Sequence, residues 1–249
     1  MTGLPKDLDD AISQAQEATQ VALQDGKTRV QVELVFPEIE LEAQSIAQTF
    51  IPSMLQDELP LKVLFPDTGA AALARRDWGE VPFKIDDLGS SRSPVERRIS
   101  PEDGQYLLVC PSSIEIAQVE KLCNLVGDRP VVLLNPRLED IAVVGIGLAA
   151  RQLRERLINN IETCYYLKPL EGAAIFRRYP ERWQVWLESE DNYRLLTELD
   201  SKPTGDDLER LLMTNANSVD NSQENEPNKS VKKKGFLDEL QGFWNALTR

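Results

Sequence analysis

The chain has 249 residues, a hydrophobic fraction of 41% and a formal net charge of −13. That leaves room for one sizeable core and opposes general binding to a phosphate backbone, so no nucleic acid is expected as a partner. It contains no histidine, which excludes histidine triads, histidine general bases and the commonest transition-metal ligand.

Taken in order, Leu4 to Gln24 places Leu4, Leu8, Ile12, Ala15, Thr19, Ala22 and Leu23 on one stripe, with Gly26 as a stop, and predicts an amphipathic helix. The opening residues, MTGLPKDLDDAISQ, show neither the apolar core of a signal peptide nor Arg-rich transit character. Arg29 to Phe36 (RVQVELVF) alternates and predicts a half-buried strand ended by Pro37. A helix from about Glu40 to Leu55 follows, kinked or ended at Pro52, and then a short strand, Leu61 to Phe65. Asp67 or Thr68 caps a further helix that Gly79 ends, and a strand is expected at Phe83 to Ile85. Residues 86–104 are polar, with Gly, Ser and Pro throughout, and read as a long surface loop.

Tyr106 to Cys110 (YLLVC) and Val131 to Leu134 (VVLL) are continuous apolar runs, as in strands buried on both faces of a parallel sheet. A helix from Ile114 to Val126 separates them, with Ser112-Ser113 reading as its cap, since a nucleophilic serine would need a base that the sequence does not offer. After the turn at Asn135-Pro136 comes a long helix carrying Arg151, Arg154 and Arg156. The rhythm then changes. Thr163 to Leu167, Ala173 to Arg178, Trp183 to Leu187 and Tyr193 to Leu199 are separated only by tight turns and predict an antiparallel meander, with Trp183 and Trp186 on opposite faces. A short helix at Asp206 to Met213 closes the domain. The fold class expected is α/β: a layered Rossmann-like domain over 1–213 with a mostly parallel sheet extended by the meander. A disordered linker is expected over 214–234 and an amphipathic helix over 235–249, in which Phe236, Leu237, Leu240, Phe243, Trp244 and Leu247 share a face behind Lys232, Lys233 and Lys234. This tail is the candidate surface for a membrane or a partner protein; packing on its own domain is the alternative.

The three cysteines, Cys110, Cys123 and Cys164, lack CxxC spacing and read as structural thiols in a reducing compartment. No metal set and no catalytic signature emerges, and no cofactor is expected. One string resembles a cofactor motif: Gly145 to Ala150 satisfies GxGxxA ahead of the arginine-bearing helix, which makes Gly145, Gly147 and Arg151 the candidate nucleotide or phosphate contacts. The simpler reading is a Gly-rich helix start with close packing. Arg75, Arg76, Arg137, Arg151, Arg154, Arg156, Arg177 and Arg178 either line a shared anion-binding cleft or pair with the abundant acids.

Three strings, PDTGAAALARRDW at 66–78, LNPRLEDIAVVGIGLAARQLRERL at 134–157 and YYLKPLEGAAIFRRYPERWQVW at 165–186, resemble an uncharacterised-domain family of cyanobacteria and plastids. That family includes the plant low photosystem II accumulation protein, and the likeness spans roughly Leu4 to Met213. The resemblance implies a non-enzymatic accessory role in photosystem II biogenesis, with an assembly intermediate or another protein as partner. It also implies a cytoplasmic location, peripherally associated with the thylakoid membrane. It carries over no catalytic pattern. No segment approaches the roughly 20 apolar residues that a membrane-spanning helix needs.

Overall fold

Small side chains decide how closely the first helix lies on the sheet. Helix α1 (Leu8–Gln24) buries Ala11, Ala15, Ala18 and Ala22 together with Ile12, and starts where the extended Asp7 accepts the Asp10 amide on its side chain. In the computed structural model, which describes residues 3–37, 39–56, 59–138, 148–189 and 192–220, it is followed by strand β1 (Arg29–Leu34) and, after one 3₁₀ turn, by α2 (Ala43–Met54). Pro52 falls inside the last turn of α2 without ending it. Strand β2 (Leu61–Phe65) leads into α3 (Thr68–Trp78), whose N-cap Asp67 accepts the Ala70 amide and whose C-cap is Gly79 at φ 66°, a conformation that favours glycine.

Strand β3 (Lys84–Asp87) then precedes a loop with one 3₁₀ turn, Val95–Arg98. The β4 (Gln105–Val109), α4 (Ile116–Leu125), β5 (Val131–Leu134) and α5 (Leu148–Arg156) elements follow. The meander comprises β6 (Glu162–Leu170), β7 (Ala173–Arg178), β8 (Trp183–Ser189) and β9 (Asn192–Leu199), and α6 (Gly205–Asp220) runs past the end expected at Met213.

The nine strands form one sheet in the order β3-β2-β4-β5-β1-β6-β7-β8-β9. From β3 to β6 every neighbour is parallel, and from β6 to β9 every neighbour is antiparallel. The expected architecture, a mostly parallel α/β sheet extended by an antiparallel meander, is therefore what the chain adopts.

Alternate residues of the central strands enter two different cores, which locates the layers. Val63, Leu107, Val109, Val132 and Leu134 pack with residues of α1, α2 and α3. Leu64, Tyr106, Leu108, Val131 and Leu133 pack on the other face with Val119 and Leu122 of α4, Leu153 of α5 and Leu88 and Val95 of the loop. Over the meander that second face carries a smaller cluster of Tyr166, Ile175 and Trp183, against which Leu208 of α6 packs. Trp186 packs against the first core, so the two tryptophans of β8 do face opposite ways.

The connections follow from these layers. The chain leaves β1 for α2 on the first face, whereas it leaves β4 for α4 and β5 for α5 on the second. Since β1 and β5 are neighbours, their carboxyl ends send the chain to opposite sides and leave a crevice between them, the usual ligand position in open parallel sheets.

Candidate functional site

Two adjacent strands end in the same unusual way. Cys110, just past β4, and Asn135, just past β5, both have φ 49°. Asparagine tolerates the left-handed region because its short side chain can bond locally. Here the Asn135 Oδ1 accepts the Leu34 amide at 2.8 Å, and the Asn135 amide donates to the Val32 carbonyl at 2.7 Å. One side chain thereby ties β5 to β1 beyond the strand ladder. Asn135 is buried, and its Nδ2 has no hydrogen-bond partner among the described residues. A buried donor left in that state costs roughly 1–3 kcal/mol, which a ligand acceptor would offset.

Around it opens a cleft of about 940 Å³, at the upper end of ordinary small-molecule sites. Its walls come from the segments that follow β1, β4 and β5 and from β6, closed on one flank by the loop between β9 and α6. Ser112 and Ser113 form one edge. There Ser112 donates its amide (2.9 Å) and hydroxyl (2.7 Å) to Glu115 Oε2 while its Oγ accepts the Ile114 amide, so Ser112 organises the turn before α4, whose N-cap is Glu115 rather than the expected Ser112-Ser113. Arg137 lines the cleft on the same edge, paired with Ser112 in an isolated bridge, and its amide bonds the Pro111 carbonyl at 2.8 Å.

The flank toward β6 holds a charged group on an aromatic floor. Lys202 Nζ lies 3.5 Å from Glu33 Oε2, 4.1 Å from the Tyr166 ring centroid and 5.7 Å from that of Trp183. Gln31 Nε2 donates to Glu33 Oε1 at 3.0 Å and to Thr163 Oγ1 at 2.9 Å, which fixes the carboxylate. Burial, reinforced by the Glu33 carboxylate, pushes the Tyr166 phenol well up, so it presents a neutral ring to the ammonium.

The residues nominated by sequence fare differently. Gly145 and Gly147 lie outside the described residues, as do Lys232, Lys233 and Lys234 and the face of Phe236, Leu237, Leu240, Phe243, Trp244 and Leu247. Arg151 is exposed on α5 and does not line the cleft. Of the eight clustered arginines, Arg137 is the one that lines it. Arg75 bonds the Ile85 carbonyl, Arg76 pairs with Asp77, Arg156 with Glu120, Arg177 with Glu162 and Arg178 with Glu17. Of the two readings of these arginines, pairing with acids is what Arg75, Arg76, Arg156, Arg177 and Arg178 do, while Arg137 lines the cleft. None of the three cysteines forms a disulfide; Cys164 is buried and Cys110 and Cys123 are half-buried.

Glu33, Tyr166 and Lys202 were not nominated by sequence, yet one signal was present. Strand β1 lies between β5 and β6, inside the sheet, where a continuous apolar run is the norm. Its alternating Gln31 and Glu33 break that norm on the face where the cleft opens. Polar residues on an interior strand mark a place where something other than an apolar helix meets the sheet.

An open, mostly parallel α/β sheet with a polar-floored crevice at its carboxyl edge defines the class: a layered α/β domain. Within that class the chain belongs to the DUF1995 family, a domain of unknown function, whose profile matches residues 5–210. The match runs from α1 into α6 and includes every residue named above as lining the cleft.

Proposed function

We propose that the protein is a non-enzymatic accessory factor in photosystem II biogenesis or assembly, placed on the cytoplasmic side of the thylakoid membrane and acting through protein–protein contacts. The observation that carries this reading is the set of strings at 66–78, 134–157 and 165–186, which resemble the cyanobacterial and plastid family that includes the plant low photosystem II accumulation protein. Family likeness alone does not fix a site, so the reading also leans on the tail. Among the described residues no helix is long and apolar enough to cross a membrane. The lysine-preceded segment 235–249, amphipathic by its sequence, supplies a surface that an anionic membrane or a partner would take. Flotation of the full-length chain and of a truncation after Ser230 with liposomes of thylakoid-like lipid tests it. The full-length chain is expected to float and the truncation to stay behind, with part of the binding lost at moderate salt. Equal recovery of both with the lipid removes the tail from the account.

A second reading, favoured by the cleft, is that the domain holds a nucleotide or another phosphate-type ligand. Its support is the crevice between β1 and β5, lined by Arg137, with the Asn135 Nδ2 that has no partner among the described residues. Thermal shifts with ATP, AMP, NAD and NADP test it. A ligand at about 100 times its dissociation constant stabilises by roughly 2.7 kcal/mol, and a flat response at millimolar concentrations argues against the reading.

A further inference from the structure

The cleft has two kinds of wall, and together they define a ligand class narrower than phosphate compounds in general. We propose that it takes a small organic acid with an apolar body, its carboxylate or phosphate held by Arg137, Lys202 and the Asn135 side chain. This inference rests on the ligand-binding reading of the same cleft.

The acid end follows from charge. The protein as a whole is strongly acidic, yet among the described residues that line the cleft Arg137 and Lys202, on the two flanks of β1, stand with one carboxylate, Glu33. The long-range field of the protein is screened within about 8 Å at physiological salt, so these local cations decide the preference inside the site. Lys202 is 46% exposed and comes from a loop, so its ammonium, now between Glu33 and the face of the Tyr166 ring, can turn to an incoming anion. Gln31 continues to bond Glu33 when that happens. Asn135 adds a donor that no group among the described residues uses.

The apolar body follows from the rest of the lining. Leu34, Ile39 and Leu138 line the cleft from buried positions, Phe36 and Ile158 are half-buried, and Ile114, 78% exposed, and Val35, 37% exposed, line it as well. The exposed and half-buried apolar side chains beside the two cations suit a ligand whose polar end enters first and whose chain covers them. A polar nucleotide would leave them uncovered.

The test is titration calorimetry on the full-length chain with octanoate, octyl phosphate, octyltrimethylammonium, inorganic phosphate, ATP and NADP. Each is run against the wild type and against Lys202→Met, Arg137→Gln and Glu33→Gln, with far-UV circular dichroism confirming that each variant is folded. Saturable binding of octanoate or octyl phosphate is expected, with octyltrimethylammonium and inorganic phosphate at least tenfold weaker; whichever acid binds tells a carboxylate from a phosphate head. Lys202→Met and Arg137→Gln should each weaken it at least tenfold, and Glu33→Gln, isosteric and neutral, should tighten it by removing the competitor for Lys202. Equal uptake of the cationic amphiphile, or affinities that no variant changes, would overturn the proposal. If ATP or NADP binds in a manner sensitive to Arg137→Gln while the octyl acids do not, the proposal falls and the ligand-binding reading stands. If no probe binds, both fall.

Discussion

Asp103 is the group whose loss should be felt most. It is 2% exposed, accepts the Ser100 amide at 2.9 Å and Lys84 Nζ at 3.1 Å, and lies 3.6 Å from Lys62 Nζ, itself almost buried. Arg129 completes the cluster by donating to the Ser100 and Asp103 carbonyls, so the group pins the loop after β3 to the sheet. Removing one partner of a buried ion pair costs about 3–5 kcal/mol, because the other charge stays desolvated. In Asp103→Asn that figure falls to about 2–3 kcal/mol, since Lys62 keeps Asp86 at 3.8 Å and the amide oxygen still takes the Ser100 N–H. The exposed Lys84 contact adds at most about 1 kcal/mol. Urea denaturation should show a lower midpoint at unchanged slope, and Lys62→Met combined with Asp103→Asn should recover part of the loss. The pH dependence has a definite sign. Burial pushes the Asp103 carboxyl up, but the Ser100 amide and the Lys84 and Lys62 ammoniums outweigh it and hold the group below the usual carboxylate range. Its contribution is therefore fully present above the unfolded value of about 3.9 and lost as pH falls through the folded value. Below about pH 4 the wild type should lose stability more steeply than Asp103→Asn. A loss under about 1 kcal/mol at neutral pH, with no coupling to Lys62, would refute this assignment.

Two further outcomes follow from the geometry of the sheet. Asn135→Ala should destabilise by about 1–2 kcal/mol more than Asn135→Gly in the same assay, because both lose the bond to the Leu34 amide but only alanine is strained at φ 49°; equal losses would mean the left-handed turn carries no cost. Cys164 is buried with Sγ 3.2 Å from the Gln31 carbonyl and 3.3 Å from Thr19 Oγ1, and burial pushes its thiol up to about 12. Peptide mapping after labelling at pH 8 should find it unmodified in the native protein and labelled only on unfolding; native labelling as fast as that of Cys110 would contradict the packing.

Local chemistry made much of this fold readable. Asp67 and Gly79 bracket α3 because one side chain can accept an amide and one residue needs a positive φ, and both are properties of the residue itself. The apolar runs of β4 and β5 announced strands covered on both faces, which they are. The tight turns of the meander likewise left its strands no option but to pair in sequence. What stayed hidden was non-local. RVQVELVF reads as a half-buried strand, and only the strand order shows that β1 is interior and that Gln31 and Glu33 floor a cleft. Lys202 lies in a loop with no pattern of its own and acquires meaning only by folding onto Tyr166. The arginines left two readings open for the same reason, since their density along the chain says nothing about which acids they meet across it.

The most direct check on the accessory-factor reading is recovery of partners from membranes. An affinity-tagged full-length chain would be used to capture complexes from mildly solubilised thylakoids, with the truncation after Ser230 in parallel and photosystem II core subunits quantified by mass spectrometry. The reading predicts several-fold enrichment of those subunits over an untagged control with the full-length chain, and less with the truncation. Core subunits at control level, with the tagged protein itself well recovered, would contradict it.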